Sequence, residues 1–211
     1  MSKFNENVKD LFENWNTIPN WLCFIRIALI PVFTALFVKE QYIAAFITMI
    51  VAALTDVFDG KIARKFNQVS DLGKIIDPVA DKLTQITIAI MFYIEFRTSS
   101  DELIKTFSWV FLIFVIKEFV MVFFGGLMLA MGLRPAAAEI YGKAATMVFY
   151  LVMIAIVMFG PDIGFLKEYW TIPDVAMLVL VIVSAVLTVV AFCSYLPSAA
   201  KQIIGKIKSR K

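Results

Sequence analysis

The sequence predicts an all-α integral membrane protein with six transmembrane helices and an N-terminal amphipathic helix lying along the membrane surface. Two features of composition and one of charge carry this. The 211 residues are 61% hydrophobic and their mean hydropathy is +0.83, whereas soluble domains are nearer half apolar. The apolar residues gather into six stretches, each reaching the roughly 20 residues that cross a bilayer as a helix, alone or with a few flanking polar residues. Basic residues fall mainly on one side of the resulting topology.

Along the chain, residues 1–20 are polar, with Phe4, Val8, Leu11, Phe12 and Trp15 at helical spacing. That pattern predicts a juxtamembrane helix on the inner leaflet rather than a cleavable signal. Ile18-Pro19-Asn20 opens the first span, Trp21–Val38; the next two are Tyr42–Leu54 and Leu83–Phe96. Phe107–Met131 forms the fourth span, and Gly132 to Pro135 separates it from the fifth, Ala144–Phe159. Gly160-Pro161-Asp162 ends the fifth, and Val175–Leu196 is the sixth. Punctuation by Gly and Pro marks these breaks. Within the fourth span, Gly125-Gly126 is expected to serve close helix packing. The whole reads as one domain over 1–211: a bundle over 21–200 and a basic tail over 201–211.

With the N-terminus inside, Lys3, Lys9, Lys61, Arg64, Lys65, Lys74, Arg134, Lys143 and the basic tail are cytoplasmic, while only Lys39, Arg97, Lys105 and Lys167 fall outside. The expected location is the cell membrane, multi-pass, with the loop between the second and third spans in the cytoplasm. The two cysteines, Cys23 and Cys193, both lie in apolar stretches, and there is no histidine. Neither a disulfide framework nor a zinc site follows from that inventory.

Charge inside a span costs on the order of 3 kcal/mol near the bilayer centre, so its placement is informative. Asp56 and Asp59 close the second span and Asp77 and Asp81 open the third. The pairs are spaced i,i+3 and i,i+4, so each lies on one helix face. If the two helices are antiparallel neighbours, four carboxylates converge. They cannot all stay ionised at contact without a cation, and at the C-terminal end of a helix the dipole would further oppose the charge on Asp56 and Asp59. Oxygen ligation without His or Cys points to Mg²⁺ or Mn²⁺, and four carboxylates suffice for two ions. Asp77-Pro78 reads as an N-cap and first helical position. Gly60, Ala63 and Gly73 leave room for a phosphate against the backbone, and Arg64 offers it a planar fork.

Taken together the residues run Asp56-x2-Asp59-Gly60-x2-Ala63-Arg64-x8-Gly73-x3-Asp77-x3-Asp81, which resembles the signature of the CDP-alcohol phosphotransferase family at all eight positions. The resemblance implies an enzyme that transfers a phosphatidyl group from CDP-diacylglycerol to an alcohol and releases CMP. It implies that Asp56, Asp59 and Asp77 hold two metal ions, with Asp81 touching one and acting as general base. Gly60, Ala63, Arg64 and Gly73 would bind the CDP-lipid. A homodimer among membrane lipids is implied, with no nucleic-acid partner.

Within the family, Ile18-Pro19-Asn20-Trp21-Leu22 with Arg26, Ile30-Pro31-Val32-Phe33 and Asp77-Pro78-Val79-Ala80-Asp81-Lys82 are similar to phosphatidylglycerophosphate synthases and bacterial cardiolipin synthases. Where those carry Arg-Glu or Arg-Asp, this chain has Lys117-Glu118; its Gly142-Lys143-Ala144-Ala145-Thr146 keeps their Gly-Lys-x-x-Thr run. A phosphorylated acceptor needs cations, and Lys143, Lys117 and Arg134 are the ones available. Glycerol 3-phosphate is therefore the leading acceptor, ahead of phosphatidylglycerol, inositol phosphate and serine. A cation transporter would spread its acids along a pathway at several depths. A prenyltransferase would repeat its acidic motif at a different spacing.

Overall fold

A computed structural model describes residues 15–66, 68, 70–130 and 140–208. Among these the regular structure is entirely helical: α1 (Ile18–Val38), α2 (Tyr42–Lys65), α3 (Asp71–Thr98), α4 (Glu102–Phe107), α5 (Val110–Ala130), α6 (Ile140–Phe159) and α7 (Asp174–Lys208). The juxtamembrane helix expected before Trp15 lies outside the described residues. Five segments have the length and apolarity to cross a membrane: Ile18–Val38, Tyr42–Ala63, Glu102–Gly126, Tyr141–Phe159 and Asp174–Lys206. The molecule is a multi-pass membrane protein. Expected as the third span, α3 forms with 28 residues, about 42 Å at helical rise. Its charged residues keep it below the apolarity of the other five.

The chain divides into two compact units, residues 1–88 and 89–211. In the first, Thr17 caps α1 by accepting from Asn20 N (3.4 Å), and Pro19 sits in the first turn, where a missing N–H costs nothing. A tight reversal joins α1 to α2. Glu40 adopts φ 58°, Gln41 N donates to Leu36 O (2.9 Å) and Glu40 N to Phe37 O (3.0 Å). This is a Schellman closure, with a non-glycine residue in the left-handed position. Phe33, Phe37 and Tyr42 stack in series across the turn, with ring centroids 5.5 and 5.6 Å apart.

Two expectations about helix ends are corrected here. Helix α2 runs on to Lys65, so Asp56 and Asp59 lie well before its last turn; the dipole, which acts only over that turn, does not oppose them. Helix α3 starts at Asp71, so Asp77 is no N-cap and Pro78 is internal. The cap is Ser70, whose Oγ accepts from Gly73 N at 2.9 Å, and Lys74 N bonds to Ser70 O at 3.2 Å. A hydroxyl that satisfies the third amide nucleates the helix two turns earlier than the proline does.

In the second unit the fourth span is interrupted. Asp101 Oδ1 caps α4 through Leu103 N and Ile104 N at 2.7 and 3.0 Å, and a turn at Ser108-Trp109 leads into α5. Phe92, Phe96, Phe111, Phe114 and Phe149, each 4% exposed or less, form a chain of ring contacts. Helices α6 and α7 pack together. Helix α7 is 35 residues long, about 52 Å, and extends beyond Leu196 into the basic tail. Among the described residues a Cβ at Gly125 or Gly126 would meet nothing within 4 Å, so the pair makes no close helix packing with them.

Candidate active site

A charge buried in an apolar helix must be paired, or its desolvation is uncompensated. Arg26, on α1, is 1% exposed, and its partners are three aspartates from two other helices. Nη1 lies 3.0 Å from Asp56 Oδ1 and 3.3 Å from Asp77 Oδ1, while Nη2 donates to Asp59 Oδ2. Helix α2 presents Asp56 and Asp59 on one face because they are i,i+3; Asp77 arrives on the second turn of α3. The expected convergence thus occurs for these three acids, around a guanidinium that spacing alone did not place there. Cys23, one turn before Arg26, joins the group: its Sγ is 3.8 Å from Asp59 Oδ2 and 4.0 Å from Asp77 Oδ1.

Asp81 sits one turn further along α3 with different partners. Gln85 Nε2 donates to its Oδ1 at 2.8 Å, and Lys82 Nζ is 3.5 Å from its Oδ2. It remains within electrostatic range of Asp56. Exposure separates the four acids: Asp59 is closed off at 5% and Asp81 is intermediate at 22%, whereas the side chains of Asp56 and Asp77 are 38% and 48% open. The cluster is most accessible at Asp56 and Asp77.

Beside it lies a pocket of about 150 Å³, whose lining includes Asp59, Gly60, Ala63, Gly73 and Asp77. The small residues expected to make room for a phosphate do line a cavity. Gly73 has a second reason to be small. A Cβ there would collide with Asn20 Oδ1 and come within 2.9 Å of Ser70 Oγ. Asn20 Nδ2 donates to Ser70 Oγ (2.8 Å) and to the Trp15 carbonyl (2.6 Å), a buried polar latch between α1 and the start of α3. The side chain of Arg64 lies outside the described set.

The donor set is suited to a hard divalent cation. Four carboxylates set against Arg26 and Lys82 leave two negative charges, and ligand atoms of Cys23, Asp59 and Asp77 lie within 4.8 Å of one another. Carboxylate oxygens on two helices match what Mg²⁺ and Mn²⁺ take from proteins.

Of the three expected acceptor cations, Lys143 is exposed near the start of α6. Lys117 is half-buried and pairs with buried Glu118, so its charge is engaged by its neighbour. Arg134 lies outside the described residues. In the sequence Arg26 and Asn20 stand out only as parts of the opening motif and Cys23 only as a thiol in an apolar stretch, none with a role at the site, and Ser70 and Gln85 do not stand out at all. For Arg26 the signal was present: it is the one charged side chain between Trp21 and Val38, and such residues are functional by default.

Carboxylates held at this expense inside membrane helices, next to a pocket lined by small residues, are the arrangement expected of a membrane-embedded phosphotransfer enzyme. The chain belongs to the CDP-alcohol phosphatidyltransferase family, whose sequence profile matches residues 16–190. Among curated relatives it is 28% identical over 168 residues to the CDP-diacylglycerol--glycerol-3-phosphate 3-phosphatidyltransferase of Aquifex aeolicus, covering 79% of this chain and 90% of that protein. It is 29% identical over 136 residues to the CMP-forming cardiolipin synthase of Streptomyces coelicolor, covering 62% and 60%. Identity to the CDP-diacylglycerol--glycerol-3-phosphate 3-phosphatidyltransferase of Rickettsia typhi is 43% over 77 residues, 35% of this chain and 43% of that one. No solved structure gives a significant match.

Proposed function

We propose that this protein transfers the phosphatidyl group of CDP-diacylglycerol to an alcohol, with glycerol 3-phosphate as the acceptor, and releases CMP. The observation that carries the reading is the gathering of Asp56, Asp59 and Asp77 beside a pocket lined by Gly60, Ala63 and Gly73. Asp56, Asp59 and Asp77, with Asp81 at the edge, would hold Mg²⁺ or Mn²⁺, two ions in the family pattern. A cation bound there neutralises charge on the pyrophosphate and on the departing phosphate. Gly60, Ala63 and Gly73 let the CDP moiety approach the backbone, with Arg64 as its expected fork. Asp81 takes the proton of the acceptor hydroxyl as the oxygen–phosphorus bond forms. The bond from the lipid-side phosphorus to the CMP oxygen then breaks, and the electron pair leaves with CMP. Gln85, bonded to Asp81, orients that carboxylate. The resemblance also supports a homodimer of six-span protomers, α3 included, with the acids at the cytoplasmic face.

The test is CMP release by purified protein supplied with CDP-diacylglycerol, Mg²⁺ or Mn²⁺ and a panel of alcohols. Turnover with glycerol 3-phosphate well above the rest is expected; turnover with phosphatidylglycerol instead would assign cardiolipin synthesis, and no CMP release with any alcohol would sink the reading. Lys143 is the residue proposed to bind the acceptor's phosphate. Lys143→Ala should raise the KM for glycerol 3-phosphate about tenfold or more, the loss expected of a charged hydrogen bond, with CDP-diacylglycerol kinetics unchanged. Unaltered acceptor kinetics would leave Lys143 as a positive-inside residue only.

A further inference from the structure

We infer that Arg26 is a built-in counter-ion: a positioning residue that lets the acidic cluster fold and hold its geometry before any metal arrives, and that competes with the metal for the same charge. This rests on the proposed role of the aspartates as metal ligands. Three features point to it. Arg26 is buried to 1% exposure and is the one charged side chain from Trp21 to Val38, a position that solubility does not demand. Both terminal nitrogens of its guanidinium are committed to carboxylates, and these come from both neighbouring helices. Its Nε, also buried, has no hydrogen-bond partner among the described residues, so the side chain is placed for the acids before its own remaining donor.

The physical consequence is a thermodynamic linkage. Without a cation, Asp56, Asp59 and Asp77 at one site would repel one another, and the fold would depend on metal. A fixed guanidinium supplies part of that neutralisation permanently. A lysine cannot do the same, since its single ammonium does not present the planar fork that reaches several carboxylates at once. Removing the guanidinium should therefore weaken the metal-free protein and strengthen its response to metal, because metal then binds without that competitor, and a ligand that binds only the folded state stabilises it by an amount that grows with the logarithm of its concentration over Kd.

The experiment is thermal unfolding of detergent-solubilised protein, wild type, R26Q and R26K, each after chelation and again with Mn²⁺ added, with direct Mn²⁺ binding followed by the loss of its free-ion electron spin resonance signal. For R26Q the metal-free Tm should fall by on the order of 10 °C, as for a buried ion pair broken on one side. The upward shift on adding Mn²⁺ should be at least twice that of wild type, with tighter Mn²⁺ binding; R26K should lie between the two. A drop in Tm that Mn²⁺ does not preferentially restore would show Arg26 to be packing alone and overturn the inference, while wild-type Mn²⁺ binding would leave the metal reading standing. Absence of Mn²⁺ binding in wild type would instead remove the metal reading itself, and the inference with it. If R26Q does not yield folded protein, R26Q/D59N removes one acid together with its partner. Recovery of folded protein then supports the counter-ion role, and continued failure overturns it.

Discussion

Asp81→Asn is expected to leave CDP-diacylglycerol and metal binding close to wild type and to lower kcat about a hundredfold or more, the loss associated with removing a general base. The expectation comes from where Asp81 stands relative to the other acids. Asp56, Asp59 and Asp77 share the Arg26 guanidinium, whereas Asp81 is held by Gln85 and Lys82 one turn along α3. Asparagine preserves the shape and one carbonyl oxygen, so the pocket and the Gln85 contact can persist, but it does not accept the acceptor's proton at neutral pH. Asp77→Asn, which removes charge from the Arg26 cluster itself, should weaken Mn²⁺ binding. Turnover measured against Mn²⁺ concentration separates the two roles. Rescue of Asp81→Asn to wild-type rates by extra metal would reduce Asp81 to a ligand alone and remove it as the base.

Chelation of divalent cations is expected to abolish CMP release, and addition of Mg²⁺ or Mn²⁺ to restore it. Even with Arg26 and Lys82 present, the cluster keeps an excess of two negative charges. The pyrophosphate of a CDP-lipid would bring more negative charge to the same place. Without a cation the two repel, so substrate binding as well as chemistry should fail. Full turnover in a chelator-treated, metal-free preparation would remove both the cofactor and the assignment of the aspartates as its ligands. Restoration by a soft ion such as Cd²⁺ better than by Mg²⁺ would show that Cys23, 3.8 Å from Asp59, dominates the ligand set over the carboxylates.

Much of the site was legible because the membrane makes charge conspicuous. Asp56, Asp59, Asp77 and Asp81 stand out at the edges of apolar stretches, and their spacing places each pair on one helix face. Helix ends were less legible. Asp77-Pro78 reads as a start because proline favours the first turn, yet Ser70 caps the helix earlier and Pro78 is carried inside it. In α2 the polar run after Leu54 looks like an exit, but the helix continues to Lys65, since backbone hydrogen bonding does not stop where apolarity does. Gly73 shows the same limit: its place in the motif suggests room for a ligand, and only the position of Asn20 reveals that α1 also needs the space.

The sequence by itself determined the class of molecule, the family and the acids of the candidate site, because hydropathy, charge placement and fixed motif spacing are local properties readable in one dimension. Tertiary structure alone decided that Arg26 binds Asp56, Asp59 and Asp77, and that Asn20 and Ser70 latch α1 against Gly73. Those contacts join residues about 30 to 50 positions apart on separate helices. Which faces meet depends on how the helices rotate and cross, and in a membrane, where lipid-facing and helix-facing surfaces are equally apolar, residue pattern does not encode that rotation.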